Sequence, residues 1–251
     1  MKITLRLLLA ALLVYSAAIY ISAQEKNGVS VKQNARAPEK QNTRQPEEAA
    51  KSDATKATES ANATHYVYEF TQPEFYVRHI LIEHDESGRG KITFARLKEE
   101  EEITDPFELS PAALVRIKSL WDALGFLNSQ TDYQSAKQFP HLGTMRLGMM
   151  RGERKREATF NWTEDKSVFA LANEYRRAAE QAIFVFDINV ARQNQPLEAP
   201  KILDRLDSLM ARSGISDPQQ LAPLLRDLST DERIPLIARN HAARLLNRIK
   251  K

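Results

Sequence analysis

The sequence predicts an α+β fold: a small antiparallel sheet of hairpins with a packed helix, followed by a long helix and a helical C-terminal region. Three observations carry this. Apolar and β-branched residues gather in five short runs between Tyr66 and Trp162, the last two of which alternate strictly. From Lys166 onward the apolar period lengthens to about 3.6. Glycine, proline and serine stand where these patterns require turns and helix ends.

Ahead of the fold, Lys2 and Arg6 precede a mostly apolar run from Leu7 to Ile21, which is the layout of a signal peptide. Ala23 offers a small residue at a cleavage point. Ile21 is not small, so Ile21-Ser22-Ala23 is a weak site, and retention of residues 1–23 as an N-terminal membrane anchor is the alternative reading. Cleavage gives a periplasmic or secreted protein; retention gives a domain tethered outside the cytoplasm. Membrane contact is expected only in the second case. Residues 24–64 contain two large apolar side chains, Val29 and Val31, and cannot offset the entropy of their own ordering. They are expected to form a disordered linker. The chain has no cysteine, so the exported part must rest on its own apolar core and not on disulfides.

Within that part, residues 65–165 are read as an α+β region and 166–251 as a helical one. Strands are expected at 66–70, 75–82 and 91–97, with Gly88 and Gly90 turning the second into the third. The acidic residues 99–102, with Asp105 and Glu108, read as a solvated loop. Ser110-Pro111 opens a helix that Gly125 closes, its stripe formed by Ala113, Leu114, Ile117, Leu120, Trp121 and Leu124. Met145, Leu147 and Met149 then alternate, as do Ala158, Phe160 and Trp162, around a turn at Gly152, giving a second hairpin. A helix of about 27 residues follows, some 40 Å long at 1.5 Å per residue, and a segment at 199–210 is placed to cover its second half. Asp217-Pro218 and Pro235 open two last helices, with Gln220 placed to answer the aspartate cap and Ile237, Ala238, Ala242, Leu245, Leu246 and Ile249 as the buried side of the second. This helical pair, 217–251, resembles a single HEAT repeat, and the resemblance implies protein binding through a helical surface.

Several function classes find no support. The formal charge is +3. Loss of residues 1–23 removes Lys2 and Arg6 and no carboxylate, so the remainder is nearly neutral and lacks a nucleic-acid footprint. The loop around Asp85 puts Arg96 where an EF-hand needs its glutamate. Gly88 and Gly90 precede a strand, whereas a phosphate cradle opens a helix. Thiol chemistry is closed, and no histidine pair, G-x-S-x-G or S-x-x-K pattern is present. No cofactor or metal is expected.

One concentration of like charge remains. Arg146, Arg151, Arg154, Lys155 and Arg156 cluster about the second hairpin with Glu153 and Glu157 as the nearby acids. Such a group suits an anionic polymer, lipid headgroups or an envelope protein. The sequence therefore points to a noncatalytic, bacterial-type envelope protein acting in protein or anionic-surface interaction. The alternative is a periplasmic or secreted enzyme whose acid/base or metal site is dispersed along the chain.

Overall fold

A computed structural model describes residues 63–249. The leader expected at 1–23 lies outside the described residues, as does the linker up to residue 62. The first strand takes in Thr64, where the sequence places the linker's end.

Six strands form one sheet: β1 (Thr64–Thr71), β2 (Val77–Asp85), β3 (Arg89–Arg96), β4 (Ile103–Glu108), β5 (Thr144–Arg151) and β6 (Arg154–Phe160). Their order is β4-β3-β2-β1-β5-β6, and every neighbouring pair is antiparallel. Tyr68 pairs with Ile82 on one side and Leu147 on the other, so successive β1 residues of that parity, Tyr66, Tyr68 and Phe70, share a buried face with Ile80, Ile82, Met145, Leu147 and Met149. The opposite parity, with His65, Val67, Glu69, His79, Leu81 and Glu83, forms a face that no helix covers among the described residues.

The antiparallel α+β architecture follows the sequence reading, but β4 lies within the stretch read as a loop. The correction has a physical reason. Pro106 sits in the middle of β4 beside Asp105, and a strand containing proline is tolerated only at a sheet edge. Leu109 N–H donates to Gly88 C=O at 3.0 Å, continuing a register that pairs Gly90 with Phe107. In such a ladder alternate residues bond inward. Phe107, Asp105 and Ile103 therefore face β3, and the missing N–H of Pro106 falls on the outer edge, where nothing in the sheet asks for it.

Helix α1 (Pro111–Leu124) begins where Ser110 Oγ accepts from Ala113 N–H at 3.1 Å and ends at Gly125 with φ 49°. Ala113, Ile117 and Trp121 lie against the sheet. Asp165 caps the 29-residue helix α2 (Lys166–Asn194), accepting from Ser167 and Val168 N–H. Then follow α3 (Ala199–Ala211), α4 (Ala222–Thr230) and α5 (Leu236–Ile249). Among the described residues no helix is long and apolar enough to cross a membrane.

Helix α2 takes part in two cores. Its residues from Val168 to Ile183 join the sheet and α1, whereas Phe184 and Ile188 join Leu203 and Leu206 of α3, Leu225 and Leu228 of α4, and Ala242 and Leu245 of α5. Two details of the C-terminal pair differ from the sequence reading. Asp217 accepts from Gln219 N–H at 3.1 Å, but the Gln220 side chain reaches Gln181 and Glu108 instead of the aspartate's backbone. Ile237, assigned to the buried stripe, is 65% exposed, because the buried side of the helix is made by Ala238, His241, Ala242, Leu245, Leu246 and Ile249.

Candidate anionic-surface interface

The β5–β6 hairpin turns at Gly152 and Glu153, and Gly152 takes φ 58°. Positive φ at the first of two turn residues is the geometry of a type II′ hairpin, for which glycine is the natural choice. Thr64 pairs with Arg151, and His65 with Asp85. The start of β1, the β2–β3 turn and the β5–β6 turn therefore lie at one end of the sheet. Helix α1 crosses the strands there, from Leu109, bonded to Gly88, to the segment after Gly125 that bonds Arg154 and Arg156.

The five basic residues do not form one patch. Arg146 and Lys155 lie on the open face. Arg146 Nε donates to Glu69 at 2.6 Å and its Nη1 to Glu157 at 3.1 Å, and Lys155 Nζ stands 3.0 Å from the same Glu157. The Lys155 bond and the Arg146 charge hold the Glu157 carboxyl below the usual range. At Glu69, burial opposes ionisation, but bonds from Arg146 and His79 outweigh it and the net direction is also down. These two cations are thus answered by carboxylates.

Arg151, Arg154 and Arg156 share the parity of Met149 and Ala158, on the helix side. Arg151 Nε donates to Thr64 Oγ1 at 2.6 Å, with Glu86 more loosely placed at 3.9 Å. Arg154 donates to Leu127 C=O at 3.3 Å and to Asn128 Oδ1. Arg156 donates to Phe126 C=O at 2.8 Å, Thr131 C=O at 2.7 Å and Tyr133 Oη at 3.2 Å, and its guanidinium lies 4.4 Å from the Phe126 ring centre. Among the described residues Arg154 and Arg156 bond only neutral acceptors. Their bonds fix them in place without cancelling their charge, unlike those of Arg146 and Lys155.

No protein-family model matches the chain, and no curated protein matches it either.

Arg156 also has a structural duty. Replacing it with alanine removes three hydrogen bonds and its stacking on Phe126, and should cost about 2 kcal/mol. A Tm unchanged within a degree would contradict this role.

Strand alternation shows in the sequence that Arg146 and Arg156 face opposite ways. The segment 126–133, which supplies the neutral acceptors, is distant in sequence and had no signal. The same holds for the bracket around His79, whose Nδ1 is 3.0 Å from Glu102 and whose Nε2 is 3.0 Å from Glu69. His84, on the other parity, is buried and bonded to Tyr175. Among the described residues no three histidine or acidic side chains are grouped so as to hold a metal ion.

Proposed function

We propose that the chain is a noncatalytic exported envelope protein whose hairpin end meets an anionic surface, of which lipid headgroups are the chosen example. The observation that carries this reading is the pairing of Thr64 with Arg151. It brings the chain into the domain beside Arg151, Arg154 and Lys155, so the end of the sheet closest to the N-terminal segment is also the one with uncancelled guanidinium charge. An anchor or tether at residues 1–64 would present that end to a membrane. The helical pair 217–251 is, in this proposal, a second surface that would meet a protein partner.

Binding to vesicles tests the reading. A chain lacking residues 1–23 is used, so that an anchor cannot itself supply membrane affinity. Cosedimentation is expected with vesicles containing anionic phospholipid and not with neutral ones, and should weaken steeply above about 0.1 M salt, where the screening length is near 10 Å. Each basic residue at an anionic surface contributes about 1 kcal/mol. The variant Arg151→Gln, Arg154→Gln should therefore lose roughly 30-fold in affinity while keeping its Tm, since Arg156 is left intact. Undiminished binding by the folded variant refutes the proposal. Binding to a soluble polyanion but not to anionic vesicles assigns the end to an envelope polymer.

A further inference from the structure

The outer edge of β4 borders a cleft of about 330 Å³, whose far wall is the start of α4 and whose floor is α2. Its depth comes from small residues. Ala178 and Ala182 stand four apart on α2, on one side of the helix, and Ala113 of α1 adds a third short side chain. Val185 and Leu224 make its rim apolar. The volume is at the low end for small-molecule sites and suits one or two aliphatic side chains.

Two further features restrict what fits. The first is the backbone. By the ladder parity set at Leu109 and Gly88, the N–H and C=O of Thr104 and the C=O of Pro106 point away from the sheet, and among the described residues no strand lies beyond them. The next outward carbonyl, Glu108, already accepts from Gln220 Nε2 at 3.3 Å. An added strand therefore has the Thr104 and Pro106 positions to pair with, and it must bring a donor to Pro106, which has none of its own. The second is charge. The lining includes Asp105 and Glu108 and no lysine, arginine or histidine, and Glu108 is already answered by Arg89 at 3.3 Å. Asp105 has the parity of Phe107, toward the cleft, and its carboxylate makes no ion pair among the described residues.

We infer that this cleft receives an extended segment of a partner protein in which an apolar residue is flanked at the second position on either side by lysine or arginine. The segment pairs with β4 by strand addition. Because side chains of a strand alternate, residues two apart share a face, so the apolar side chain enters between Ala182 and Leu224 while a cation on the same face meets Asp105. This surface is separate from the hairpin end, and its test does not depend on vesicle binding.

The test uses the full chain and a fluorescent blocked peptide, Thr-Lys-Thr-Leu-Thr-Lys-Thr, with a control in which glutamate replaces lysine. Saturable binding of the lysine peptide is expected, with amide shifts at Thr104 and along α4, and at least tenfold weaker binding of the glutamate peptide. Asp105→Asn should weaken the lysine peptide about fivefold at unchanged Tm, and Ala182→Leu, which fills the cleft, should abolish binding. If Ala182→Leu does not fold, Asp105→Asn and the shift map decide. Absence of saturation up to millimolar peptide, equal affinity for the two peptides, indifference to Asp105→Asn, or shifts confined to the open face at Val67 and Leu81 would each overturn the inference.

Discussion

Tyr175→Phe is expected to lower stability by about 3 kcal/mol although it removes a single oxygen. Trp121 Nε1–H donates to Tyr175 Oη at 2.9 Å, Tyr175 Oη–H donates to His84 Nε2 at 2.8 Å, and His84 Nδ1–H donates to the Asp85 carbonyl at 2.7 Å. The directions follow from the two ends: the indole can only donate and the Asp85 carbonyl can only accept, so a neutral His84 carries its proton on Nδ1 and its Nε2 accepts from the Tyr175 hydroxyl. Burial pushes the Tyr175 hydroxyl up and the His84 ring down, so both are neutral, as the relay needs. Without the oxygen, a buried indole N–H and a buried imidazole nitrogen each lose their partner, at about 1–3 kcal/mol apiece. Urea denaturation should show a lower midpoint with the slope unchanged. Adding His84→Leu should recover part of the loss, because one orphaned group disappears. A single variant within 0.5 kcal/mol of wild type, on the scale of ordinary surface changes, would show that the relay is not holding α1 and α2 to the sheet.

The second large effect is expected at Glu174. Its carboxylate is 2% exposed and accepts from Arg116 Nη2 at 2.8 Å, from Ser216 Oγ at 2.7 Å and from Arg177, joining α1, α2 and the segment before α4. Burial opposes the charge, but the bonds from Arg116 and Ser216 and the two guanidinium charges outweigh it, so the carboxyl is held below the usual range. Glu174→Gln should cost about 2–3 kcal/mol at pH 7. The figure is kept below that of a fully buried pair because Arg116 and Arg177 are 42% and 36% exposed and regain water. A carboxyl whose folded pKa is depressed contributes stability above its unfolded pKa, near 4.5, and loses it as pH falls through the folded value. Asp187 has the opposite sign: burial outweighs Arg96 and Arg205 and raises it, so its protonation relieves the folded state. Acidification from pH 5 should therefore destabilise wild type more than Glu174→Gln, with the difference between them shrinking by pH 3. An equal gap at pH 7 and pH 3 would rule out the charge as the source.

Helix ends were the most legible parts of this molecule, since Ser110 and Gly125 do their work within a few residues of chain. The β5–β6 hairpin was legible for the same reason. Strand β4 was not, because proline in an extended run argues against a strand unless its outward position is known, and that position is set by β3. The basic cluster was dense in sequence, yet the pleat divides it, and its counter-charges Glu69 and Glu86 come from β1 and from the β2–β3 turn. Asp105 and the alanines of α2 carry no sequence signal for a cleft, which exists only where three separated segments meet.

The length of α2 has a consequence for how this domain can be altered. Phe184 directly follows Ile183 and Ile188 stands five residues beyond it on the same rod, so a strain introduced at α5 has a rigid path to the underside of the sheet. A cut between Asp165 and Lys166 does not yield two self-sufficient pieces: a fragment ending at Asp165 bares Tyr68 and Phe94, and one beginning at Lys166 carries Leu171 and Tyr175 uncovered. The last helices cannot be lifted out as a cassette or exchanged for those of another protein without rebuilding the helix that both cores hold in common.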